Sequence, residues 1–317
     1  MISIIIPVYN EKENLFLLNT QIQNALDPWC KDWEVIYIDD GSNDGSHDIL
    51  QELALNNKRI KLIRLVKQYG QTLAIAAGIE YSEGDILVFM DSDLQNDPRD
   101  IPKLISKLDE GYDVVSGWRK QRRDPLFTRV IPSYIGNKLV SLVSGLNLHD
   151  VGCGLKAYRR KVITGIKLYG EMHRLLPIYA KINGANITEV VVSHNYRRTG
   201  KSKYGLFRII KLILDLINIK FVQGFYTKPI YFFGSTGIFF ILGATLIGIF
   251  VIIRKIFFGG MWLSPLIFIC FIFFTVGIQM LFTGILAELL IRVYYKSNKE
   301  SPYKIKSIIE NRNIKKT

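Results

Sequence analysis

At 317 residues, with a 49% hydrophobic fraction and a formal charge of +13, the chain has room for one domain of about 200 residues plus an appendage and is too apolar for an ordinary soluble enzyme. Its cysteines, Cys30, Cys153 and Cys270, have neither disulfide nor metal spacing, which excludes a disulfide-stapled secreted scaffold and fits a reducing compartment. Nucleic acid is a rival reading of the positive charge. The basic residues, however, gather beside two long apolar runs, where anionic lipid headgroups are the better partner, so a membrane and no nucleic acid is expected.

In chain order, Met1-Ile2-Ser3-Ile4-Ile5-Ile6 runs straight into Pro7 without a basic segment or cleavage site, and reads as a first strand rather than a signal peptide. Short β-branched runs predict strands at 3–8, 34–39, 60–66, 85–90 and 113–116, alternating with helical patterns at 11–26, 47–56, 72–81 and 101–110. That alternation predicts a mainly parallel sheet covered on both faces, with ligands beyond the carboxyl ends of its strands. Residues 126–143 and 206–222 each carry a polar stripe on an apolar helix, in the second case Arg208, Lys211, Asp215 and Asn218. Such helices lie in the headgroup plane or pack on the domain core; Pro132 breaks or starts the first.

Residues 229–253 and 256–287 contain no charge, and each run exceeds the roughly 20 residues that cross a bilayer. Arg197, Arg198, Lys201, Lys203, Arg208, Lys211, Lys220 and Lys228 precede the first, and Arg292, Lys296, Lys299, Lys304 and Lys306 follow the second. Only Arg254 and Lys255 lie between them. This asymmetry places both the N-terminal domain and the tail in the cytoplasm. The expected organisation is an α/β domain over 1–205, an amphipathic juxtamembrane helix over 206–228, two transmembrane helices over 229–292 with a short non-cytoplasmic loop, and a basic tail over 293–317.

The sharpest chemical signal is Met90-Asp91-Ser92-Asp93-Leu94-Gln95, directly after an apolar run. In an extended segment Asp91 and Asp93 fall on one side, and two carboxylates so close call for a cation. Oxygen ligands of this kind suit Mg²⁺ or Mn²⁺ shared with substrate phosphates; a surface turn is the competing reading. Strand two ends in Ile38-Asp39-Asp40-Gly41-Ser42 and strand one in Pro7-Val8-Tyr9-Asn10-Glu11. These turns can converge with Asp91 and Asp93 on one pocket, with Glu11 or Asp40 accepting from a base or ribose hydroxyl and Tyr9 against a nucleobase. An ordinary turn at Asp40-Gly41 and a helix cap at Asn10-Glu11 are the alternatives.

Together with Gly70-Gln71, this set resembles family 2 of the glycosyltransferases, and more narrowly the polyprenyl-phosphate sugar transferases, from Ile2 to about Tyr204 and again in the two-span tail. The resemblance implies a GT-A type, Rossmann-like nucleotide-sugar domain followed by interfacial helices and two transmembrane helices. It implies that Pro7, Tyr9, Glu11, Ile38 and Asp40 bind the donor nucleoside, with Gln71, Asp91 and Ser92 along the nucleotide-sugar, and that Asp91, Asp93 and Gln95 surround metal and diphosphate. Two motifs depart from the pattern. Gly152-Cys153-Gly154-Leu155-Lys156 replaces Gly-Asp-Phe-Arg, so Asp150 becomes the better candidate acid beside Asp93; and Glu171-Met172-His173-Arg174 replaces Glu-Arg.

A lipid phosphate needs cations at the membrane surface. Arg119, Arg122, Arg123 and Arg129 precede one candidate interfacial helix, and 196–203 precedes the other. Arginine forks suit phosphate oxygens, although basic snorkelling explains part of the pattern. By resemblance, Arg119, Arg129, Arg197, Arg198, Ser202 and Lys203 hold the lipid phosphate or the diphosphate. The implied reaction is inverting transfer of a hexose, UDP-glucose before UDP-N-acetylglucosamine or GDP-mannose, to undecaprenyl or dolichyl phosphate. Asp150 or His173 orients a substrate, or His173 is structural. The rivals are a processive polysaccharide synthase, for which the Gln-x-x-Arg-Trp motif and further spans are missing, and a non-catalytic membrane scaffold, against which Asp91, Asp93 and Gln95 argue. A homo-oligomer is compatible with the sequence.

Overall fold

The structure, a computed structural model, describes residues 1–120, 141, 145–166, 168, 170, 172–195, 229–259, 265–296, 305–310 and 313–315. Two units are distinguished, one comprising 1–216 with 301–317 and the other 217–300.

The first unit is built on a sheet whose strands are β1 (Ile2–Val8), β2 (Trp33–Asp39), β3 (Ile60–Leu65), β4 (Ile86–Phe89), β5 (Val114–Trp118), β6 (Lys156–Arg159), β7 (Ile187–Val191), β8 (Ile305–Glu310) and β9 (Asn313–Lys315). Their spatial order is β7-β5-β6-β4-β1-β2-β3-β8-β9. β1 pairs in parallel with β2 and β4, and β2 with β3, while β6 runs antiparallel between β4 and β5. Parallel neighbours require crossovers, supplied by α1 (Leu15–Leu26), α2 (Ser46–Asn56) and α3 (Gln71–Glu80).

Strands buried on both faces read as unbroken apolar runs, and β1 does so. Ile4 and Ile6 join a core with Leu15, Leu18 and Ile22 of α1, and with Leu104 and Leu108 of α4 (Ile101–Asp109). Ile5 faces the other way, onto Ala74, Ile75 and Ala77 of α3. There α3 lies so close that a Cβ on Gly78 would meet Ile5 Cγ2 at 2.4 Å. The chain winds outward from β1 to β3, then returns across β1 to β4. Such a reversal leaves a crevice beyond the carboxyl ends of the strands on either side. The helix α5 (Met172–Ile182) carries buried Met172, Leu176 and Ala180 into the same core as α3.

β8 comes from beyond the long apolar helices and pairs antiparallel with β3, Ile63 opposite Ile308 and Arg64 opposite Ser307. The sequence reading has only a basic tail at this point. The tail strand instead covers what would otherwise be an open edge of the sheet.

The second unit contains α6 (Pro229–Phe258) and α7 (Pro265–Lys296). Both are long and apolar enough to cross a membrane, over Ile230–Phe257 and Pro265–Leu290. Phe239 at 71% and Phe271 at 69% exposure show that these side chains are not a soluble core. The helices meet through small residues. A Cβ on Gly237 would lie 2.8 Å from the Gly277 carbonyl oxygen, and one on Gly284 would lie 2.9 Å from Ile230 Cδ1, the close approach that glycine permits between membrane helices. Apart from Ser141, the expected interfacial helices over 126–143 and 206–228 lie outside the described residues.

Candidate active site

The turns after β1 and β2 are laced together. Asn10 enters the left-handed region at φ 55°, which asparagine tolerates. The Asn10 and Glu11 backbone N–H groups donate to Ser42 Oγ and Ser46 Oγ, each at 3.1 Å, and the Asn43 N–H returns to Asn10 Oδ1 at 2.9 Å. Glu11 Oε2 accepts from Asn14 Nδ2 at 2.6 Å. Asp39, fully buried, accepts from the Ser42 N–H at 2.8 Å. Its other oxygen lies 3.3 Å from His47 Nδ1, a charge-range contact off the hydrogen-bond direction.

Asp40 accepts from the Tyr69 N–H at 2.7 Å and from the Gly70 N–H at 2.8 Å, fixing the loop from β3 into α3. Burial raises its pKa, the two backbone donors oppose that rise, and Asp39 adds to it. Asp40 therefore serves first as a brace inside the fold. Ile38 is wholly buried in the core that packs on α3. Pro7 belongs to β1 itself, and Tyr9 and Glu11 stand just past its end.

The turn after β4 is built differently. The strand ends at Phe89, so Asp91 and Asp93 stand on a bend rather than on an extended run. Leu94 takes φ 62° while its side chain stays buried in the core. Asp93 Oδ1 accepts from the Gln95 N–H at 3.2 Å, and the Gln95 carbonyl accepts from the Asn195 N–H at 2.9 Å. Ser92 is buried. Asp91 Oδ1 accepts from Gln71 Nε2 at 2.8 Å. Its Oδ2 occupies the space of a missing side chain, since a Cβ on Gly154 would sit 2.0 Å away.

Gln71, Asp91, Gly154, Lys156, His173 and Arg174 line a cavity of about 130 Å³. Lys156 begins β6 directly opposite Phe89, the last residue of β4, so its side chain rises at the ligand end of the sheet. It is 4% exposed. Its Nζ donates to the Val151 carbonyl at 2.9 Å and, weakly, to the Arg174 carbonyl at 3.5 Å. Burial lowers its pKa to about 8 against the attraction of Cys153, Asp150 and Asp91. His173 Nδ1 lies 2.6 Å from Thr72 Oγ1. Burial and the neighbouring Arg174 and Lys156 charges take its pKa to about 3, so its ring is neutral. Burial raises the Cys153 thiol to about 11, which rules it out as a thiolate nucleophile at neutral pH.

Asp150 and Arg119 meet as a fork, Nε to Oδ2 at 2.7 Å and Nη2 to Oδ1 at 3.0 Å, with Asp150 1% exposed. A candidate acid and a candidate phosphate cation are thus each other's partner. Arg129, Glu171, Arg197, Arg198, Ser202 and Lys203 lie outside the described residues. Among the described residues no group of three His, Cys, Asp or Glu side chains is placed to hold a metal. Asp91 and Asp93 offer carboxylate oxygens of the kind that suit Mg²⁺ or Mn²⁺, and the close backbone at Gly154 leaves Asp91 room. The cavity thus gathers Gln71 and Asp91, expected from sequence, with Lys156 and Arg174, which entered that reading only as departures from a motif.

Residues 3–166 match the family model described as glycosyl transferase family 2. The chain is 35% identical over 315 residues to a dodecaprenyl-phosphate galacturonate synthase of Rhizobium johnstonii, covering 98% of this chain and 93% of that protein. Glucosyl-3-phosphoglycerate synthase of Mycobacterium tuberculosis, solved with Mn²⁺ and UDP-glucose, is similar in fold, with a TM-score of 0.53 at 18% identity over 70% of this chain and 78% of that one. A second solved mycobacterial protein gives 0.52 at 21% identity, over 70% and 74%.

Proposed function

Because the chain belongs to glycosyl transferase family 2 and is a glycosyltransferase, we propose that it moves one sugar from a nucleoside diphosphate donor to a polyprenyl phosphate, with inversion at the anomeric carbon. The observation that carries this reading is the cavity beside Asp91, at the carboxyl end of β4, on a chain that also has two membrane-length helices. The relative that matches along nearly its whole length is named for a polyprenyl-phosphate sugar product. The donor favoured by the motifs is UDP-glucose, with UDP-N-acetylglucosamine and GDP-mannose behind it. The relative's name adds a galacturonosyl donor.

In the proposed reaction an oxygen of the lipid phosphate attacks the anomeric carbon, and the bond from that carbon to the diphosphate oxygen breaks. A phosphate monoester has a second pKa of about 6 and is already anionic at neutral pH. No strong base is required, in keeping with an Asp150 committed to Arg119. A Mg²⁺ or Mn²⁺ ion held by Asp91 and Asp93, beside Gln95, would supply positive charge to the departing diphosphate. Gln71 holds Asp91 in place, and neutral His173, fixed by Thr72, presents its ring to the cavity. Arg129, Arg197, Arg198, Ser202 and Lys203 are the proposed grip on the lipid phosphate.

The domain assignment is also a proposal: a cytoplasmic transferase domain, a membrane hairpin and a returning tail. It is supported by the basic flanks of the two helices and by β8, which brings the chain from beyond α7 back to the sheet that precedes α6. Release of nucleoside diphosphate by the purified chain tests the reading. It should require lipid phosphate and a divalent cation together. Release that continues undiminished without lipid phosphate would contradict it.

A further inference from the structure

Lys156 is a buried cation without a carboxylate partner. Among the described residues no acid comes within ion-pair distance of its Nζ, and its contacts are the carbonyls of Val151 and Arg174. Of the acids nearby, Asp150 is forked by Arg119 and Asp91 is bound to Gln71 and packed on Gly154. Two neutral carbonyls satisfy two of the three ammonium donors and none of the charge. An unpaired buried charge is costly, and the cost is borne here in the wall of a cavity rather than in a sealed core. Arg174 lines the same cavity, so its two cations face Asp91, the acid that the proposed reading gives to a metal.

Resting on that reading, we infer that Lys156 and Arg174 make the cavity a receptor for a sugar bearing a carboxylate, so that the transferred group is a uronosyl residue rather than a neutral hexose. A sugar carboxylate supplies the missing acceptor for the third Lys156 N–H and a counter-charge for its ammonium, with Arg174 adding positive charge to the same cavity wall. The leaving diphosphate is the other anion in such a reaction, but its charge is the one that a cation held by Asp91 and Asp93 would serve. Lys156 and Arg174 are thereby specificity-determining residues of the sugar subsite. Neutral His173 between them and Thr72 adds a hydrogen bond without a competing charge.

Titrations of the full-length protein in detergent micelles with Mn²⁺ test this, using UDP-galacturonate, UDP-galactose and UDP alone. The first two differ only in the carboxylate. Wild type should bind UDP-galacturonate about tenfold to a hundredfold more tightly than UDP-galactose, the range of a charge-assisted contact. In Lys156→Met the ratio should fall toward one while UDP alone binds as before, and Arg174→Gln should lower the ratio part of the way. Equal affinity of wild type for the two donors overturns the inference. So does a Lys156→Met loss as large for UDP alone as for UDP-galacturonate, which would assign the ammonium to the diphosphate. So does an unchanged ratio in Arg174→Gln, a variant that removes no buried group. Efficient transfer of galactose to lipid phosphate by wild type, with no preference for the uronosyl donor, would sink this inference and leave the proposed transferase reading standing.

Discussion

Two groups of acids stand at the same end of the sheet and are treated in opposite ways. Beyond β1 and β2, Asp39 and Asp40 are answered from within the chain by the backbone N–H groups of Ser42, Tyr69 and Gly70. Beyond β4, Asp91 takes a side-chain donor, Gln71 Nε2, at the edge of a cavity, and across that cavity Lys156 has no acid within ion-pair distance among the described residues. The first group braces loops inside the fold; the second borders a cavity whose wall holds a buried lysine. Proximity of acids to a strand end therefore does not by itself mark chemistry. What distinguishes the chemical group is a cavity at its side and a buried ammonium that the described acids leave unpaired.

The comparison breaks most readily at Asp93. Asp93→Asn should lower kcat/KM by at least about a hundredfold, a loss of roughly 2.7 kcal/mol, with little change in thermal stability. A melting temperature that drops with the rate would put Asp93 among the bracing acids. Asp40→Ala should show the converse balance. It strands the Tyr69 and Gly70 N–H groups and should cost about 2–4 kcal/mol of folding free energy in chemical denaturation. A fully stable Asp40→Ala protein that fails only to bind nucleotide would remove the distinction.

Lys156→Met sharpens it in the opposite direction. At about 1.4 kcal/mol per pKa unit, the depression of Lys156 from 10.5 to about 8 corresponds to roughly 3 kcal/mol of strain in the folded state. Replacing the ammonium by an apolar chain of similar length should recover part of it, so the variant should melt higher than wild type while binding donor less selectively. Loss of stability would show that the two carbonyl contacts outweigh the burial. The smallest expected effect is the pH dependence from His173. Its folded pKa lies below the unfolded value, so the unfolded chain binds the extra proton first. Stability from this group is fully present above about pH 6.5 and falls as pH drops toward about 3. In His173→Gln that slope should be missing from the acid side of the stability profile.

Much of the first half of the sheet was legible because each strand there is a run of β-branched residues long enough to exclude other readings. Trp33–Asp39 and Ile60–Leu65 fall where the apolar runs place them. Beyond β5, which overlaps the predicted 113–116, the strands were not. β6 has only four residues, Lys-Ala-Tyr-Arg, and opens with a buried lysine; α5 contains Pro177, which reads as a breaker. The tail strand hides among Lys304, Lys306 and other charges, and its Ile305, Ile308 and Ile309 gain meaning only from the uncovered edge of β3. The site divides likewise. Asp91 and Gln71 announce themselves by motif, whereas burial of Lys156 without a counter-ion is a property of three-dimensional packing that no local window contains.

The most direct measurement is mass spectrometry of the lipid extract after purified protein is incubated in mixed micelles with polyprenyl phosphate, a divalent cation and a nucleotide-sugar. The expected product is polyprenyl phosphate carrying one glycosyl residue, formed by wild type and lost in Asp93→Asn. A polymer, or free sugar with the lipid phosphate unmodified for every donor offered, would contradict transfer to a lipid phosphate at this crevice.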